Sequence, residues 1–231
     1  MKKVLVLAAL LFLIVITTSC QKPEEVTLSK YFQAMKAKDR DTMAAMAAEP
    51  FAVEFKSWKL VSSEPPVYED SALPKMMEDL AAAKKKKDDQ ILLVKDKKDA
   101  LDLKRTELGE ARGGRAKAEI QKAIAALEVE AETETANYKR DQANFTQMKG
   151  QVENEKKMIS LSTNIDQNQE LLAGKAVTTK CVVKIDGAGG EKEYIFTLRK
   201  YELINPVTNK VSSNRYIILK IQPREEAEAA Q

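Results

Sequence analysis

Residues 73–108 read LPKMMEDLAAAKKKKDDQILLVKDKKDALDLKRTEL, residues 109–114 read GEARGG, and residues 115–159 read RAKAEIQKAIAALEVEAETETANYKRDQANFTQMKGQVENEKKMI. Leu, Ala, Lys, Glu, Asp and Gln dominate, and all but Asp are strong helix formers. Between Pro74 and Pro206 there is no proline. On the first side Leu73, Leu80, Val94, Leu101 and Leu108 recur on a seven-residue period, with Lys87 as the polar member. On the second side Ile124, Ala131, Tyr138, Phe145, Val152 and Ile159 do the same. Another row there, Ile120, Leu127 and Met148, is broken by Glu134 and Asp141. Heptads on both sides of a glycine-rich break predict an antiparallel coiled-coil hairpin over residues 72–174.

Folding about Gly114 sets a register on paper. Leu108 meets Ile120, Leu101 meets Leu127, and Leu80 meets Met148. Lys87 then falls opposite Asp141, and Lys95, Lys97 and Lys98 pass Glu128, Glu130, Glu132 and Glu134. The charges played no part in choosing that register, so their agreement supports it. Each arm of about 40 residues would extend roughly 60 Å. The run KKKK at residues 84–87 is diluted by Asp88 and Asp89 and reads as a solvated face of the hairpin.

The flanks carry a different pattern. TLSKYFQAMKAKD, from Thr27, predicts an amphipathic helix with Leu28, Tyr31, Phe32 and Met35 on one side. Asp39 or Asp41 is placed to cap a second short helix ending before Pro50. Phe51, Val53 and Phe55 alternate with other residues, while Trp58 and Leu60 follow in the opposite phase. That predicts a strand with a bulge near Lys56 and Ser57, broken by SSEPPVYED. After the hairpin, CVVKID, EYIFTLRKYEL and RYIILKIQ predict a three-stranded antiparallel meander, with a turn over residues 186–190. Residues 225–231 are expected to be a flexible tail.

Neither flank holds enough apolar surface for its own core. The expected fold is therefore α+β. A small antiparallel sheet is packed by N-terminal helices, formed by residues 27–71 and 175–224, and interrupted by the hairpin. The order of elements resembles small lipoproteins of the nuclear-transport-factor-2-like, cystatin-like superfamily. That resemblance implies a curved sheet around a helix, with a cone-shaped pocket.

Residues 1–20 are a separate signal. Met1, Lys2 and Lys3 precede an apolar run, VLVLAALLFLIVI, at residues 4–16, followed by Thr17, Thr18, Ser19 and Cys20. The run is short for a membrane span and fits a signal peptide. With a small residue before a cysteine, it resembles a bacterial lipoprotein signal. The resemblance implies cleavage between Ser19 and Cys20 and lipidation of Cys20, palmitate included. Residues 20–26 would be the lipidated cysteine and its tether. Gln21 is not the Asp that favours inner-membrane retention in enteric lipoproteins. The resemblance therefore implies a cell-envelope location, on the periplasmic side of the outer membrane in a two-membrane host.

Composition narrows the chemistry. Without Lys2 and Lys3 the chain has 36 basic residues against 35 acidic ones, so nothing global points to nucleic acid. It has no histidine, which removes the commonest general base and metal ligand. Cys181 lies on the apolar phase of its strand and reads as a buried core thiol. DGAGG lacks the Lys-Ser/Thr of a phosphate loop and reads as a hairpin turn. Trp58 and Tyr194 read as packing residues. No catalytic residue, cofactor or metal is expected.

The best expectation is a lipid-anchored, non-catalytic envelope protein. Its coiled coil would engage an unidentified envelope protein or another copy of itself. Arg112, Gly113, Gly114 and Arg115 at the tip are the candidate contact. A periplasmic adaptor of an efflux or secretion system is one alternative, though glycine-bearing lipoyl strands do not flank the hairpin. A small-ligand binder or enzyme with a cone-shaped pocket is the other.

Overall fold

The computed structural model describes residues 22–163, 173–204 and 215–229. Among them lie helices α1 (Pro23–Ala37), α2 (Arg40–Met46), α3 (Leu73–Glu110), α4 (Gly114–Thr163) and α5 (Arg224–Ala229). The strands are β1 (Phe55–Ser63), β2 (Val67–Asp70), β3 (Gly174–Gly187), β4 (Gly190–Leu203) and β5 (Ile217–Pro223). The fold is α+β. The chain divides into two compact units, one containing residues up to Ser71 and from Met158 onward, the other Ala72–Lys157.

In the first unit all strand pairings are antiparallel, and the sheet order is β1, β3, β4, β5. The β3–β4 pair is the spine. Its register runs unbroken from Gly174 opposite Leu203 to Gly187 opposite Gly190. Gly190 has φ +88°, a left-handed conformation that glycine adopts without steric cost and that closes the tight turn. At the other end Gly174 has no room for a side chain, because a Cβ would overlap the Glu202 carbonyl oxygen and the Leu203 Cα.

Helices α1 and α2 cover one face. Leu28, Tyr31, Phe32, Met35, Met43 and Met46 pack there against Cys181, Val183, Ile185, Phe196, Leu198 and Ile218. Phe32 is the hub. It stacks on Trp58 with ring centroids 4.6 Å apart and meets the edges of Tyr31 and Phe55. The other face is buried at Ala176, Tyr201 and Leu203. There the end of α4 supplies Ser162, whose hydroxyl accepts from the Tyr201 N–H (3.1 Å) and donates to the Arg215 carbonyl (2.8 Å).

Several details depart from the sequence reading. Residues 23–26, read as tether, are the first turn of α1. Pro23 suits the first helical position, and Glu24 and Glu25 complement the helix dipole. Residues 51–54 are not strand; β1 starts at Phe55. The Phe51 backbone is instead held by the Tyr31 hydroxyl, which accepts from its N–H (2.7 Å) and donates to its carbonyl (3.0 Å). The register shift between Phe55 and Ser57 falls where the bulge was expected. β1 does not cover the sheet but extends it, pairing with the far half of β3. Past Pro65 and Pro66, Val67–Asp70 resumes as β2 on the near half. The prolines interrupt pairing only locally.

Both Ile217 and Ile218 are buried, because a register shift after Thr197 breaks the simple alternation of β5. Residues 224–229 are helical. They form α5, with Ala227 buried and Arg224 2.7 Å from Glu193. The compact hairpin unit ends at Lys157, and residues 158–163 of α4 belong to the α+β unit, so the return crossing precedes residue 174.

In the second unit α3 and α4 run antiparallel. Lys97 reaches Glu130 (2.6 Å) and Arg105 reaches Glu128 (2.9 Å) across the pair. The Lys97–Glu130 pair lies among the cross-helix charges expected from the heptads, whereas Arg105 was not among them.

Candidate functional site

Ser19 and Cys20, the signal-cleavage and lipidation candidates, lie outside the described residues, as do residues 205–214. Among the described residues no helix is long and apolar enough to cross a membrane.

The hairpin tip is narrower than the glycine pattern implied. Helix α3 continues through Gly109 to Glu110, and α4 starts at Gly114. Only residues 111–113 are non-helical, with Gly113 at φ +113°. Isolated glycines lower helix propensity by about 1 kcal/mol, which neighbouring turns absorb at Gly109. Arg112 and Arg115 are exposed, and Arg115 makes a loose pair with Glu119 (3.3 Å) on its own helix. The tip thus presents two arginines beside a glycine bend.

The interior of the hairpin carries more polarity than the leucine row suggests. Val94, Leu101, Ala131 and Val152 are buried in the seam. Lys87 does not pair with Asp141. Its ammonium stands 5.0 Å over the Phe145 ring, and Lys86 takes Asp141 instead at 3.0 Å. The reason is reach. A seam lysine lays its stem on apolar surface and sends its charge outward, whereas Lys86 on the flank reaches in. Asp141 is 5% exposed, and its second carboxylate oxygen is buried without a partner.

One seam position, Gln90, was missed. Gln90 and Lys97 follow Lys87 and Val94 at a three-residue offset, the second inward phase of a heptad. Gln90 donates to the carboxylate of Glu134, which also accepts from Asn137 (3.3 Å). These bonds, Gln90 foremost, hold the Glu134 carboxyl below its ordinary range. The signal was the heptad offset itself, hidden because its members are polar.

The α+β unit offers little chemistry. Cys181 is fully buried and burial pushes its thiol pKa up, so the nucleophilic thiolate is disfavoured. Trp58 is occupied by its stack on Phe32, and Tyr194 leans on Phe51 at 5.5 Å. Asp141 is the one buried carboxylate among the described residues, and it belongs to the hairpin. No cluster of three or more metal-ligating side chains occurs among them.

A groove that the pattern did not indicate lies between the α1–α2 turn and the segment before β1. Its volume is about 530 Å³, with Met35, Met43, Ala44 and Val53 in its wall and Lys38, Arg40 and Glu54 supplying its charges.

No protein-family model, curated protein or solved structure matches the chain.

Proposed function

We propose that this chain is a lipid-anchored, non-catalytic protein of a bacterial cell envelope, with a coiled-coil hairpin for protein interaction or scaffolding. The anchor would be Cys20, on the outer membrane's periplasmic side in a two-membrane host. Because α1 begins at Pro23, only Gln21 and Lys22 would separate the lipid from folded chain. The α+β unit would then be held close to the bilayer.

The observation that carries the interaction reading is the composition of the hairpin unit. Cross-helix charge pairs and an apolar seam join its two helices, and the bend presents exposed Arg112 and Arg115 to solvent. Two experiments test the two parts separately. Wild type should incorporate radiolabelled palmitate and Cys20→Ala should not; equal labelling removes the anchor. Replacing residues 111–113 by Gly-Ser-Gly and changing Arg112 and Arg115 to Ser should abolish cross-linking to envelope partners in intact cells. Undiminished cross-linking removes the tip as the contact.

A further inference from the structure

We propose that the groove between the α1–α2 turn and residues 50–54 binds one long-chain carboxylate, such as a free fatty acid. The wall at Met35, Met43, Ala44 and Val53 is apolar. Methionine walls adapt to flexible chains. The volume of about 530 Å³ is in the range of small-molecule sites. At roughly 30 Å³ per methylene, taking a methylene as the size of a water, it holds one chain of about 15–18 carbons. That matches one chain rather than several.

The charges select the headgroup. Lys38 and Arg40 both border the groove, and neither makes an ion pair among the described residues. The intervening Asp39 stays ionised, but its carboxylate is turned to the α2 cap, accepting from the Thr42 N–H (3.0 Å) and hydroxyl (2.6 Å), and does not line the groove. With Glu54 on the facing segment, the side chains that line the groove sum to one positive charge.

Lys38 is also in an unfavourable backbone state. Its φ of +57° makes it the one non-glycine residue with positive φ among those described. It ends α1 in a Schellman-type turn, with the Asp39 N–H bonded to the Ala34 carbonyl (2.9 Å). Glycine is the residue that this position favours. A lysine here keeps a cation at the groove at the expense of local strain, as functional sites do.

That strain makes the test discriminating. The full-length chain is titrated with cis-parinaric acid, a fluorescent fatty acid, and with the corresponding alcohol. Wild type should bind one acid per chain, and the alcohol about three- to tenfold more weakly. Lys38→Gly should weaken the acid by about three- to fivefold, leave the alcohol unchanged, and melt no lower than wild type. Ala44→Trp, confirmed folded by circular dichroism, should weaken both probes more than tenfold by filling the groove. The proposal is overturned by absence of saturable binding, by full affinity in Ala44→Trp, or by acid and alcohol binding alike with Lys38→Gly inert.

Discussion

Replacing Asp141 by Leu should stabilise the hairpin. Asp141 occupies the inward row that Ile120, Leu127 and Met148 otherwise fill with apolar side chains. Its carboxylate is 5% exposed; one oxygen takes Lys86 at 3.0 Å and the other is buried unpartnered. The Lys86 side chain is 63% exposed, so solvent screens the pair and its worth is about 1 kcal/mol or less. Against this stand about 1–3 kcal/mol for the unsatisfied oxygen and about 1.5–3 kcal/mol for burying a leucine in its place. A new side chain that packs imperfectly forfeits part of that gain. The expected net is about 1–3 kcal/mol of stabilisation, in line with hydrophobic replacement of other buried ions. Urea unfolding of the full chain, followed by helical circular dichroism, measures it, with Lys86→Met as the companion variant. Lys86→Met should lose about 1 kcal/mol in wild type and nothing in the Asp141→Leu background. A destabilised Asp141→Leu, or equal effects of Lys86→Met in both backgrounds, would refute the reasoning. Asp141 would then be the residue that holds the register.

Ser162→Ala should cost the α+β unit about 2–4 kcal/mol, since it orphans the Tyr201 N–H and the Arg215 carbonyl; Ser162→Thr should recover part, and both are read from urea midpoints. Tyr31→Phe should cost about 1–2 kcal/mol and expose residues 50–54 to hydrogen exchange, because both Phe51 backbone bonds go with the hydroxyl. Stability should also fall in alkali. Burial raises Cys181, Tyr31 and Tyr216, the last to about 12, above their unfolded values near 9 and 10. Their contribution is complete below about pH 9 and is lost as the unfolded state gives up protons that the folded state retains. Thermal melts from pH 8 to 11 should show the decline, and Tyr216→Phe should flatten it.

The helices of the hairpin were legible because apolar residues at seven-residue spacing leave few alternatives over so long a run. The bulge near Ser57 was legible too, since Phe55 and Trp58 both face the core and a regular strand cannot place them so. The Gln90–Glu134 contact was not, because Gln90 looks like a surface residue until Glu134 is brought opposite. For the same reason the sequence set Lys87 opposite Asp141, where Lys86 is the residue that pairs. The two are adjacent in the chain, and side-chain reach decides which one pairs.

By itself the sequence determined the α+β class, the hairpin, its approximate register and the buried thiol at Cys181, all of which follow from local periodicity. Tertiary structure alone decided that β1 and β2 share the β3 edge and that Tyr31 takes the backbone of Phe51. It also brought Ser162 to Tyr201, and Lys38 to the same groove as Val53. Each of these joins residues far apart in the chain. Such pairings are settled by which polar groups would otherwise be buried alone, and no local pattern records that.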